Sequence, residues 1–223
     1  MPQPPLSIVM PVRDEAQRIA AALAALAPLR TAGAELIVVD GGSHDGTPAL
    51  CQGRADAVLA AAAGRATQMN AGARAASGAV LLFLHADTAL PADAAALIAQ
   101  AGAPWGRFDV TIEGRSTLLP LVAALMNWRS RWTGIATGDQ AIFVRREAFD
   151  AVGGFPEQPL MEDIELSKRL SRLGRPACLR ARVVTSGRRW DQRGAWRTIV
   201  LMWRLRLLYW LGVPAERLAA AYR

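Results

Sequence analysis

Short, unbroken apolar runs alternate with helix-like segments through the first hundred residues. The runs are 6–10 (LSIVM), 35–40 (ELIVVD), 57–60 and 79–85 (AVLLFLH). Runs without polar alternation are the mark of strands covered on both faces. Between them, Ile19, Leu23 and Leu26 give 14–27 helical spacing, and Pro28 is expected to close that helix. Residues 47–52 read as a helix with Thr47 as N-cap and Pro48 at its first position. Further helices are expected over 66–76 and 91–100. Such alternation builds a mostly parallel sheet with helices on both faces, so the expected class is α/β.

After Gly102 the pattern changes. Residues 107–113 (RFDVTIE) alternate, like a strand with one exposed face. Residues 118–132 are apolar and aromatic at helical spacing, with Trp128 and Trp132 on one side. A strand over 140–145, a short helix over 146–152 and an amphipathic helix over 161–173 follow. Gly174 and Pro176 close the last of these. A strand over 179–185 and a strongly apolar helix over 196–211 complete the chain. No linker or internal repeat interrupts 1–223, so a single domain is expected, with a small extension after 102 and an apolar C-terminal helix.

Composition narrows the setting. Of the 223 residues 52% are hydrophobic and 20% charged, enough for a real core. Cys51 and Cys178 give neither a disulfide framework nor a metal motif, so a reduced, cytoplasmic setting is expected. The start, with four prolines before residue 15, does not resemble a signal peptide. No apolar run is long enough to cross a bilayer; 198–213 is broken by Arg204 and Arg206. The net charge is +7, nearly all from Arg, with Lys168 the only lysine. These charges are dispersed through the second half, which argues against nucleic acid as a partner.

In open α/β sheets, ligands bind where the strands end. The first strand end offers Pro11, Arg13 and Glu15, the second Asp40, the fourth His85 and Asp87. Acids gathered at one edge repel, so a divalent cation or hydrogen-bond donors must compensate them. Asp40 suits a base imide or a ribose hydroxyl, with Gly41-Gly42 allowing close backbone approach. Asp40 and Asp45 equally suit turn formers or caps.

SIVMPVRDE, VVDGGSHDGT, GRATQMNAGARAASGAVLLFLHADT and GDQAIFVRREAFDAVGGFPE, followed by MEDIELSKRL, together resemble the family 2 glycosyltransferases of GT-A (Rossmann-like) fold. The resemblance runs from residue 6 to about residue 185. It is nearest to a compact bacterial subgroup often found beside radical-SAM or selenium-related genes. It implies a nucleotide-binding half (1–102), an acceptor and catalytic half (103–185) and a C-terminal helical extension (186–223). It implies that Pro11, Arg13 and Glu15 contact base and ribose, that Asp40 binds base or ribose beside Gly41, and that Arg65 and Asn70 lie near ribose and diphosphate. Asp87 would hold Mg²⁺ or Mn²⁺ between the phosphates, and Asp163 would be the general base. One departure concerns His85, which stands where the family's metal motif usually opens with an acid. It could ligate Mn²⁺ or donate to a ribose or phosphate oxygen. Asp139 resembles part of the acceptor-side segment, and Arg188-Arg189 would suit a diphosphate.

The implied activity is inverting transfer from a UDP- or GDP-sugar to an acceptor, a small molecule or a lipid-linked one. Rival readings are a catalytically degenerate nucleotide-sugar binder and a nucleotidyltransferase. The latter usually has a Gly-rich phosphate loop after its first strand, where this chain reads PVRDEAQR. The helix over 196–211 suits either a membrane interface, placing the protein at the inner membrane's surface, or packing and homodimer formation.

Overall fold

The computed structural model describes residues 5–222; the proline-rich start at 1–4 and the final residue lie outside them. The first half folds as its pattern requires. Strands β1 (Leu6–Val12) and β2 (Glu35–Asp40) bracket helix α1 (Ala16–Thr31). They continue through α2 (Thr47–Cys51), β3 (Ala57–Ala60), α3 (Arg65–Ala75) and β4 (Val80–Phe83). Side chains alternate strictly between the two faces. Ile8, Met10, Leu36 and Val38 pack with Ile19, Leu23 and Leu26 of α1. Val9, Ile37 and Val39 face the other way, against Ala66, Met69 and Ala73 of α3. Full burial of each such side chain contributes about 1.5–3 kcal/mol.

The second half adds β5 (Thr88–Ala89), α4 (Ala94–Gln100), β6 (Trp105–Glu113), α5 (Leu119–Thr133) and a 3₁₀ turn (Gly138–Gln140). Then come β7 (Phe143–Arg145), α6 (Arg146–Ala151), α7 (Glu162–Ser171), β8 (Ala177–Ser186), α8 (Arg188–Arg193), α9 (Ala195–Trp210) and α10 (Ala215–Tyr222). The described strands form one eight-stranded sheet in the order β3-β2-β1-β4-β7-β6-β8-β5. β1, β2, β3 and β4 pair in parallel, as do β6 and β8. β7 runs antiparallel to both β4 and β6. The carboxyl ends of β1, β2, β4, β6 and β8 therefore share one edge, and the 3₁₀ turn entering β7 arrives at that same edge.

Several expectations need correction. Pro28 does not close α1; it lies in the helix, which runs on to Thr31. The carbonyl that its ring leaves without a helical partner, four residues back, belongs to an exposed residue, Ala24. Thr47 is not the N-cap of α2; Gly46, at φ +85°, holds that position. The polar face of β6 is buried at Arg107 and Asp109 and reaches solvent fully only at its last residue, Glu113. α8 and α10 were not foreseen. No helix among the described residues is long and apolar enough to cross a membrane.

Candidate active site

The loops leaving β1 and β2 are stitched to each other by side chains. Ser43 Oγ accepts the Asp14 amide (2.9 Å), and Asp14 Oδ1 accepts the His44 amide (2.8 Å). Asp45 reaches across to accept the Ala16 amide at the start of α1 (2.8 Å) and also takes the Thr47 amide (3.0 Å). The Thr47 hydroxyl, with these amides, holds the Asp45 carboxyl below its usual range. Asp45 is thus a cap serving two elements. Asp14 adopts φ +53°, a left-handed conformation that short polar side chains tolerate best.

Asp40 ends β2, paired in register with Val12 and Ala60. Its carboxylate is buried and accepts the Gly42 and Ser43 amides (3.0 Å each) and the Ser43 hydroxyl. Three of its roughly four lone-pair sites are therefore filled by its own loop. A methyl group on Gly41 would lie 2.8 Å from Gln68 Oε1. Gln68 is buried and donates to the carbonyls of Val12 and Val39, bridging the ends of β1 and β2. The absent side chain at Gly41 makes room for Gln68. Gln68 was missed; its only signal was an uncharged polar residue one turn into α3.

Asn70 is likewise committed elsewhere. Its amide donates to the Phe155 carbonyl (2.8 Å) and accepts the Phe155 amide (2.9 Å), pinning the loop after α6. These bonds clamp that loop to α3. Pro11 is buried within β1, opposite Val39, short of the strand end. Arg13 is mostly exposed, 3.8 Å from Asp14.

The remaining residues gather round the first residue of α3. Arg65 Nε lies 2.9 Å from Glu162 Oε1, with 42% of the Arg65 side chain exposed. Burial opposes its charge, but Glu162, Asp163, Asp139 and Asp87 together raise its pKa. Four acids from three separate segments thus act on one guanidinium. Glu162 is almost wholly buried and its Oε2 has no hydrogen-bond partner among the described residues. Burial pushes its pKa up, against Arg65 and with help from Asp163.

Asp163 Oδ2 accepts the Gly138 amide (3.0 Å) while Oδ1 accepts the Ile164 amide (2.8 Å). The first bond ties the start of α7 to the 3₁₀ turn. Met161, just before this pair, sits at φ +64° in a buried position. On the other side of Gly138 stands His85, whose Nδ1 is 3.8 Å from Asp139 Oδ1. Burial disfavours the imidazolium, yet Asp139 and Asp87 outweigh burial and Arg65, so the His85 pKa lies above its ordinary value. Asp139 is half-exposed, and burial opposes its charge. His85, Arg65 and Arg189 hold its carboxyl below the usual range. Burial, with Arg193 and Arg65, lowers the Arg189 pKa, and its guanidinium lies 4.3 Å from the Tyr222 ring. Arg188 reaches Glu15 at 3.6 Å, joining the far end of the sheet edge to the loop after β1.

Residues 7–105 match the family model for glycosyl transferase family 2. The first half of the chain is similar to that family. Solved structures of similar fold include S. aureus TarS 1–349 in complex with UDP-GlcNAc, at TM-score 0.63 and 18% identity. That match covers 81% of this chain and 58% of TarS 1–349. The mannosyltransferase PcManGT of Pyrobaculum calidifontis, in complex with GDP-Man and Mn²⁺, gives TM-score 0.64 at 21% identity, covering 92% of this chain and 61% of that one. Glucosyl-3-phosphoglycerate synthase of Mycobacterium tuberculosis, with Mn²⁺, UDP and phosphoglyceric acid, gives 0.58 at 22%, covering 81% and 69%. The chain thus has the GT-A fold and spans about three fifths of the length of the first two structures. A search of curated proteins found no match.

Among the described residues no three His, Cys, Asp or Glu side chains close round one point as a metal site. Asp87 offers carboxylate oxygens at the strand edge, and His85 offers an imidazole already facing Asp139. This donor set fits a divalent ion held jointly with a ligand's own oxygens, which is how Mg²⁺ is usually bound.

Proposed function

We propose that the chain is an inverting glycosyltransferase that moves a sugar from a UDP- or GDP-sugar to an acceptor hydroxyl. The observation that supports this is the meeting of Asp87, Asp139, Glu162 and Asp163 around Arg65, at the edge where the parallel strands end. A binding cleft that mixes several acids with arginines suits a ligand carrying both a diphosphate and hydroxyl groups. Arg65 and Arg189 would pair with the diphosphate, with Arg188 beside them. The loop built on Asp40 and Ser43 would frame the base, with Arg13 and Glu15 at its mouth. Asp87 and the diphosphate oxygens would hold a Mg²⁺ or Mn²⁺ ion, with His85 as the remaining candidate ligand. Such an ion offsets the charge that builds on a departing nucleoside diphosphate.

Asp163 would take the acceptor's proton. Backbone amides of Gly138 and Ile164 fix its carboxylate, and a fixed base is what proton transfer of this kind requires. General-base assistance is typically worth ~10²–10⁴ in rate. Direct displacement by the acceptor then inverts the anomeric centre.

The test begins with a thermal-shift panel of UDP- and GDP-sugars with and without Mn²⁺. The stabilising donor is then used to follow nucleoside diphosphate release. Asp87→Ala is expected to abolish the Mn²⁺-dependent part of donor binding. Asp163→Asn is expected to keep donor binding and to lower turnover by ~10²-fold or more. Full turnover in Asp163→Asn removes the base assignment. Donor binding without turnover in the unaltered protein supports the degenerate-binder reading instead.

A further inference from the structure

Two helices of the second half carry apolar faces that none of the described residues covers. On α5 the exposed residues are Leu121, Leu125, Trp128 and Trp132, the last 75% exposed. Their 4-3-4 spacing places them on one side. On α9 they are Trp196, Val200, Trp203, Leu207 and Trp210, Trp203 being 70% and Trp210 77% exposed, again at 4-3-4-3 spacing. Five of the seven tryptophans stand on these two faces. Both helices border the same side of the sheet: Ile199 of α9 and Trp190 of α8 belong to the same apolar cluster as Val122, Ala123 and Met126 of α5. Scattered exposed apolar residues need no explanation, but two helix faces this rich in exposed tryptophan mark an interface.

The charge of the same region identifies the occupant. Residues 186–223 hold eight Arg against Asp191 and Glu216, a net +6, and 118–134 add Arg129 and Arg131 with no acid, a net +2. The whole chain carries +7, so everything else sums to −1. Arg197 and Arg204 are exposed on α9, next in sequence to Trp196 and Trp203. A second copy of the chain would bring this same cationic surface against itself, because a twofold interface repeats one patch on both sides. An anionic bilayer is complementary in both respects. Tryptophan rings settle at the headgroup level, and arginines beside them meet the lipid phosphates. No described helix is long enough to span, so the contact is with the surface.

We propose that the exposed faces of α5 and α9 dock the protein on the surface of an anionic lipid bilayer. The contact is independent of the transfer reading, since it is measured without donor or acceptor. The inner side of α9 packs Leu205 against Met161 and Ile164, which flank Glu162 and Asp163. Docking would therefore seat the helix that borders the proposed base at the lipid headgroups.

The experiment is vesicle flotation of the full chain, using phosphatidylcholine alone and phosphatidylcholine mixed with phosphatidylglycerol. The protein is expected to float with the mixed vesicles at low salt, weakly with the neutral ones, and progressively less as salt screens the charges. Trp128→Glu/Trp203→Glu alters only exposed positions. It is expected to lower partition about tenfold or more while keeping the circular dichroism of the unaltered protein. Arg197→Ser/Arg204→Ser is expected to reduce the salt-sensitive part and spare the rest. No flotation with anionic vesicles at low salt overturns the proposal. So does equal binding to neutral vesicles, or a dimer in solution that Trp203→Glu dissociates with no vesicle binding in either form.

Discussion

Gly138 is one residue on which the candidate site turns. Its amide holds Asp163, and a methyl group added to it would lie 2.6 Å from His85 Cε1. Real side chains do not approach so closely, so either the imidazole or the 3₁₀ turn must move. Gly138→Ala is expected to keep the fold, since the position is a turn at the edge of the sheet. It should displace His85 from Asp139 and Asp163 from its present direction together. Misplacement on the scale of 1 Å costs on the order of 10²-fold in turnover, with a much smaller change in donor binding. Nucleoside diphosphate release set beside the donor's thermal shift would show whether the two separate. A glycine here is legible in GDQ only as a turn; that it backs a histidine 53 positions earlier is a tertiary fact. The same holds for Gly41, whose neighbour Gln68 comes from α3. His85 could be picked out by its place at a strand end, whereas Arg65, Asp139 and Asp163 stand out only through the resemblance to family 2 glycosyltransferases. Their mutual approach, and the buried Glu162 among them, depends on the register of β4, β7 and α7.

At the scale of an element, β6 shows how a pattern can be read correctly and interpreted wrongly. RFDVTIE does alternate, but the polar side is not wet. Arg107 is fully buried and bonds Asp109, the Ser130 hydroxyl (3.0 Å) and the Asn127 carbonyl (3.1 Å). Arg131 completes the group on Asp109 at 2.7 Å. Ser130, Asn127 and Arg131 all lie on α5, so this polar cluster attaches that helix to the sheet and sets which of its sides faces outward. Period-two alternation distinguishes two faces without saying that either meets solvent, and a helix can supply the partners that water otherwise would. Asp109→Ala leaves Arg107 buried with its charge uncompensated. Breaking a buried pair in this way costs about 3–5 kcal/mol, and urea denaturation would measure it. Arg107→Met keeps the volume and leaves Asp109 paired with Arg131, so no buried charge is left uncompensated and the expected cost is smaller. If the two variants lose equal stability, the cluster is not acting through charge burial. α8 and α10 escaped notice for a different reason: each is short, and GRRWDQRG and VPAERLAAAYR carry charge where an apolar stripe would be sought.

Across the whole molecule, the apolar residues fall into three groups instead of the two that a covered sheet would need. Two lie on the faces of the sheet. The third lies off the sheet and joins Leu160, Met161 and Ile164, around the start of α7, to Leu205 of α9 and Leu218 of α10. The C-terminal extension is therefore the wall against which the segment bearing Glu162 and Asp163 is set. It also explains why a non-glycine residue, Met161, tolerates φ +64°: its buried side chain is held by that cluster, and such backbone strain persists only where the surroundings over-determine it. Leu205 is 1% exposed. Leu205→Ala is expected to cost about 2–5 kcal/mol if the cavity does not collapse. Because the loss falls on the third group, it should not be spread evenly over the protein. Amide hydrogen exchange is expected to accelerate at residues 161–167 and through α9, while β1, β2 and β4 keep their protection. Donor stabilisation, which depends on the edge formed by those strands, should survive better than turnover, which depends on the aim of Asp163. Uniform acceleration across the sheet would instead mean that the extension contributes only to global stability and does not position the candidate base.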